Sequence, residues 1–192
     1  MSFQRVMRKY LWELFSTVLA RGILYIWGST VGKNLLVCGR LKILNDGGLN
    51  IGNDVQLNSG DANFVGGDRK MRIWIGINGH CHIGNKCGLS NTTIVCFNKV
   101  SIADNVYIGG GCEIYDTDFH QIDYDGRMTG QTVVPSGHVK IEEGVFIGSF
   151  CKILKNAQIG RGSVIGSGSV VTGQIPPREI WAGVPARLIR KL

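Results

Sequence analysis

The sequence predicts an all-β solenoid, a three-sided prism of stacked coils, and three observations carry that expectation. The first is an unbroken register of sixes. From Pro135 the chain divides into blocks starting at Pro135, Ile141, Ile147, Ile153, Ile159, Ile165 and Val171. Their fifth positions are Val139, Val145, Cys151, Ala157, Ser163, Ser169 and Ile175, all small or aliphatic. The second is the upstream echo of that register. Blocks at Ile94, Val100, Ile102 and Ile108 carry Val106 and Cys112 inward; earlier ones at Met71, Ile77 and Ile83 carry Ile75, Cys81 and Cys87. A frame shift near Leu89 and another across 63–70 separate these from the blocks of Val37, Ile43, Leu49 and Val55. The third is glycine, 28 of 192 residues, with Gly148, Gly160 and Gly166 at second positions, where tight corners need them.

Apolar residues at first and fifth positions fit neither a helical period nor simple alternation. Short extended sides joined by corners do fit. Nineteen blocks make about six turns, stacked at about 4.8 Å into a prism on the order of 30 Å tall. Cys81, Cys87, Cys112 and Cys151 fall in the inward column, so they act as small hydrophobes and no disulfide is required.

Composition agrees with one folded unit. Apolar residues make up 44% and charged residues 18%, which excludes disorder and a long coiled coil. The net charge of +7 suits an anionic partner, but no Lys/Arg run reaches five residues, so nucleic acid is not expected.

Three segments follow. Residues 1–32 form an amphipathic helical segment, with Phe3, Met7, Leu11, Leu14, Phe15 and Val18 on one face packed on the first open coil. Arg5, Arg8 and Lys9 leave peripheral membrane contact as the alternative. No clean apolar region or cleavage site follows them, so a cytoplasmic location is expected, possible at the inner membrane face. Gly28 to Lys33 is a near miss to a phosphate loop and reads as a turn into the coils. Residues 33–176 form the coils, with an excursion over 116–134. In 177–192, Pro176-Pro177 halts the ladder and a short helix begins near Pro185.

The excursion is where chemistry is expected, because loops of this length in compact domains are usually functional. It opens Asp116-Thr-Asp118-Phe119-His120-Gln-Ile-Asp123. A histidine amid carboxylates suits general-base work, with Asp118 or Asp116 orienting the ring. The bland alternative is a solvated loop with an incidental histidine. His80 and His82 flank inward Cys81 and should point outward; they and His138 read as surface residues. Cys81 and Cys87 lack a zinc spacing, and no metal is expected.

These blocks, together with the closing Val170-Val-Thr-Gly-Gln-Ile-Pro-Pro and Ala182-Gly-Val-Pro-Ala-Arg-Leu-Ile-Arg190, resemble the hexapeptide-repeat left-handed β-helix acyltransferases. The left hand is an implication of the resemblance alone, since parallel crossovers are ordinarily right-handed. The resemblance further implies an acetyl-CoA-dependent sugar O-acetyltransferase, of the surface-polysaccharide type, working as a homotrimer with clefts between subunits. His120 stands the family's distance beyond Ile108 and takes the place of the catalytic base. Carried over by position, Ser149, Ser167, Thr172 and Gly173 line the cofactor groove, while Arg187 and Arg190 meet its phosphates. The family often has Lys where Gly173 stands, so that side chain's contribution is missing. Asn91 matches a family asparagine near the acceptor hydroxyl, and equally suits a corner. Carbonic anhydrases of the same fold hold zinc through three histidines, a set this chain does not reproduce. The rival from another class is a non-catalytic solenoid scaffold.

Overall fold

The computed structural model describes residues 3–63, 65–67, 69–130 and 134–192. The coils form a left-handed parallel β-helix whose three sheets are the faces of a prism. Face A has seven strands, face C six, and face B eight. Successive strands pass from A to B to C, so every third strand stacks in parallel on the one before. On face A, Gly48–Ile51, His80–Ile83, Lys99–Ile102 and His138–Ile141 follow one another in register. On face C the order is Lys42–Asn45, Arg72–Ile75, Thr93–Cys96, Glu113–Tyr115, Lys152–Ile153 and Val170–Val171.

The core is the inward column. Val139, Ile141, Val145, Ile147, Cys151, Ile153, Ala157 and Ile159 are all buried, and Ser163 and Ser169 join them. Burying one such aliphatic side chain is worth about 1.5–3 kcal/mol, and the repeat supplies it at nearly every side. All six cysteines are free thiols. Burial, helped by the charge of Asp116, pushes the Cys81 thiol up to about 12. One residue leaves the register: Ile77 is 80% exposed, because it caps the corner between Gly76 and Gly79 instead of starting a side.

Corners are held by two devices. At the A-to-B edge, side-chain oxygens accept from the next backbone: Asn53 Oδ1 from Lys33 N and Asn85 Oδ1 from Asn53 N, both at 2.8 Å, and Asp104 Oδ1 from Asn85 N at 2.7 Å. At the B-to-C edge, coils approach so closely that only glycine fits. A Cβ on Gly148 would lie 2.6 Å from the Ser167 nitrogen.

Helix α1 (Phe3–Ile26) caps the first coil, but by the face opposite to the expected one. Ser16, Ala20 and Leu24 are buried, whereas Leu11, Leu14, Phe15 and Val18 are all more than half exposed. The reason is the open edge of the first coil, whose unpaired amides need partners. Thr17 Oγ1 accepts from Val37 N at 2.9 Å, which turns the Thr17 side inward. Met7 is exposed as well; the side chains of Phe3, Arg5, Arg8 and Lys9 lie outside the described residues.

The far end also differs from expectation. The ladder starts at Thr30 and runs past Pro176-Pro177, which occupy a corner, into Glu179–Gly183 on face B. No helix begins near Pro185. Ala186–Lys191 instead folds back antiparallel on Glu179–Gly183. A helix of about seven residues would carry its nucleation cost alone, while a strand satisfies the free edge of the last coil.

Candidate active site

The excursion leaves face C after Glu113–Tyr115 and returns to face A at His138. Its base is pinched shut by its own first residues. Asp116 is fully buried, and its carboxylate accepts from Phe97 N and Asn98 N, each at 2.8 Å. The Asp116 carbonyl accepts from Gly137 N at 2.7 Å, and Asp118 N donates to Pro135 O at 3.2 Å. The Asp118 carboxylate pairs with Lys155 from the coil below. Asp123 then caps the single-turn helix α2 (Tyr124–Met128), accepting from Gly126 N at 2.8 Å. Residues 131–133 of the excursion lie outside the described set.

Between these anchors His120 projects into solvent at the corner of faces C and A. Phe119 before it adopts φ 64° and sets its ring edge-on to Tyr115, centroids 5.3 Å apart. Neither Asp116 nor Asp118 hydrogen-bonds His120 among the described residues. In this structure both carboxylates have other partners. Asp116 locks the backbone of the neighbouring corner and Asp118 ties the loop to Lys155, so both position the segment and neither touches the ring.

Asn91 is also spent on structure. It is buried at φ 43°, its Oδ1 accepts from Gly60 N at 2.8 Å, and its Nδ2 donates to Gly67 O at 2.8 Å and Val65 O at 3.3 Å. These contacts are those of a corner residue, and Asn91 is buried in the described chain.

The groove residues separate into two groups. Ser149 and Ser167 stack on the B-to-C edge; Thr172 and the side-chainless Gly173 sit exposed on the C-to-A edge. One chain does not bring the two groups together. Arg187 and Arg190 are three apart on a strand, which alone would point them to opposite faces. A bulge opposite Ile180/Trp181 pairs Arg187 with Ala182 and Arg190 with Ile180, returning both guanidinium groups to the outer side of face B.

Two features went unread in the sequence. His138 Nε2 lies 2.9 Å from Ser101 Oγ, joining adjacent strands of face A. Partial burial, then the charges of Lys99 and Lys140, hold its pKa below the usual value. On face C, a cavity of about 370 Å³ opens beside Phe119, lined by Lys42, Arg72, Trp74, Val95 and Tyr115 among others. The available signal was a run of apolar residues at outward positions of successive coils: Leu44, Trp74, Val95, Tyr115. Among the described residues no three His, Cys, Asp or Glu side chains converge as a metal site.

Residues 138–173 match the family model of the bacterial transferase hexapeptide (six repeats). That stretch of the chain carries the hexapeptide repeat. Serine acetyltransferase of Escherichia coli K12 is 41% identical over 99 residues, 52% of the hexapeptide-repeat chain and 29% of that enzyme. Galactoside O-acetyltransferase of the same strain is 37% identical over 121 residues, 62% of this chain and 58% of the relative. The chain thus spans less than two thirds of these curated relatives. Among solved structures, a mutant of AntD, an N-acyltransferase from Bacillus cereus in complex with dTDP and coenzyme A, shares the fold. It aligns with TM-score 0.69 and 24% identity over 89% of this chain and 88% of that one.

Proposed function

We propose that this hexapeptide-repeat protein transfers an acetyl group from acetyl-CoA to a sugar hydroxyl, with His120 as general base. The observation that carries the reading is the placement of His120. An exposed imidazole stands on an excursion anchored at its base, next in the chain to Phe119, which lines the cavity on face C. The carboxylates that hold the loop are committed to Phe97, Asn98 and Lys155, so the ring is presented without being tied down.

Acetyl-CoA is the acetyl donor in this reaction and is consumed as a substrate. The B-to-C edge suits its pantetheine arm, since Gly109, Gly148 and Gly166 flatten that edge and leave Ser149 and Ser167 to contact it. Arg187 and Arg190, aligned by the bulge, suit its phosphates. Thr172 and Gly173 lie on the other edge, which fits a homotrimer in which neighbouring copies build one cleft. In the transfer step the acceptor hydroxyl loses its proton to His120 as its oxygen bonds the acetyl carbonyl carbon. The C–S bond then breaks, and the protonated imidazole returns the proton to the departing thiolate.

The relatives named for serine, galactoside and N-acyl transfer show several acceptors on such repeats. The sugar assignment rests on the excursion sequence and the aromatic cavity beside His120. A surface-polysaccharide unit is the class we favour. No helix among the described residues is long and apolar enough to cross a membrane. The outward face of α1, Leu11, Phe15 and Val18 among it, fits peripheral membrane contact at the cytoplasmic side.

Calorimetry with coenzyme A tests the reading against a binding scaffold. Saturable heat, with thiol release from acetyl-CoA in the presence of pooled sugars, supports transfer. No heat and no thermal shift would favour the scaffold. Light scattering that shows a monomer would remove the shared cleft.

A further inference from the structure

Face C should present its outward residues to solvent, yet one of them is covered. Val95 points outward by alternation but is only 5% exposed, so Thr93–Cys96 breaks the in-out pattern of its neighbours. The cover is aromatic. Trp74, the partner of Val95 on the adjacent strand, packs edge-on to Phe97 with centroids 5.0 Å apart. Tyr115, the partner on the other side, holds Phe119 in the same way at 5.3 Å. Both walls are fixed from beneath, because the Asp116 carboxylate that pins Phe97 N also fixes where the excursion begins. Desolvation, with the charge of Glu113, pushes the Tyr115 hydroxyl up to about 12, so it remains a neutral donor.

The second outward column is cationic. Lys42 and Arg72 are register partners on adjacent strands, so two positive side chains stand about 4.8 Å apart along the stack. Like charges placed so are destabilising. Among the described residues no carboxylate pairs with either. Glu113, the acid of the same column, is already engaged by Arg69 and Lys152. The top of the column therefore holds surplus positive charge at the mouth of an aromatic cavity of about 370 Å³. That volume falls within the range of small-ligand sites.

We infer that this cavity is the acceptor site and that it selects an anionic sugar. The C–H face of a pyranose lies on Trp74 and Tyr115, and its carboxylate or phosphate group lies against Arg72 and Lys42. The inference rests on the acetyltransferase reading, and it adds the substrate class: a glycan unit bearing a negative charge. The position of His120, next in the chain to the lining residue Phe119, brings the sugar's hydroxyls to the base.

Calorimetry on the full chain with three probes tests it: methyl glucuronide, glucose 1-phosphate and neutral methyl glucoside, with coenzyme A titrated separately. At least one anionic sugar should bind about tenfold or more tightly than methyl glucoside. Tighter binding of the glucuronide assigns a carboxylate, and of the phosphate a phosphoryl group. Arg72→Gln should abolish the preference, and Trp74→Ala should weaken all three sugars, while coenzyme A affinity holds in both variants. Equal binding of all three sugars, or a preference that survives Arg72→Gln, overturns the inference. If coenzyme A binds and the sugars do not, the cavity assignment falls alone; if coenzyme A fails to bind, the acetyltransferase reading falls first.

Discussion

The lower coils, from His138 to Ile175, and the upper coils, from Thr30 to Tyr115, are built on the same repeat to different ends. Below, strands of mostly two residues alternate with glycine corners without interruption, and this stretch contains the family match. Above, most strands lengthen to three or four residues, two insertions leave the corners, and face C acquires aromatic walls beside Lys42 and Arg72. Regularity supplies stability and a smooth edge for the proposed cofactor arm; departures from it supply places to discriminate an acceptor. A repeat that satisfies every backbone group and fills every inward position leaves nothing on its surface to discriminate a substrate.

Substitutions separate the two regions. Ile147→Ala, in the regular half, removes a fully buried side chain from an inward column with no room to collapse. It should cost about 2–5 kcal/mol in denaturant unfolding. Asp116→Ala leaves the amides of Phe97 and Asn98 without their acceptor at a part-buried corner, and a loss of about 1–3 kcal/mol is expected by the same method. If Asp116 were instead a catalytic orienter, its removal would alter the pH profile of transfer at unchanged stability. Gly148→Ala forces a Cβ against the Ser167 nitrogen and should cost about 1–3 kcal/mol, with a lower melting temperature and weaker coenzyme A binding at that edge.

The smallest effect concerns pH. His138 is held below its usual value near 6.5, so the folded protein binds fewer protons there than the unfolded chain. Its contribution is present above the unfolded value and is lost as pH falls below that value and through the lower folded one. Melting temperatures at pH 7 and pH 5 should therefore converge slightly in His138→Gln relative to the parent.

Much of this division could be read in the residues. The inward column is a property of local spacing, so the coils and the burial of Cys81, Cys87, Cys112 and Cys151 follow from the six-residue rhythm. What escaped reading depends on contacts between coils. Asp116, Asp118 and Asn91 look like functional polar residues in one dimension, and their partners lie 18 to 37 positions away. The face of α1 was misassigned because its apolar stripe was weighed without the Val37 amide that Thr17 accepts from. The terminal hairpin was missed because the free edge of Glu179–Gly183 exists only once the last coil is laid down. The proposal for His120 rests on the local order of the excursion, so no contact between coils is needed to single it out.

Acetyl transfer by His120→Ala, measured as thiol release with acetyl-CoA and an accepting sugar, bears most directly on the role given to the excursion. Turnover should fall at least about 10²-fold with coenzyme A affinity and melting temperature unchanged. A variant that works at nearly the parental rate would contradict the account.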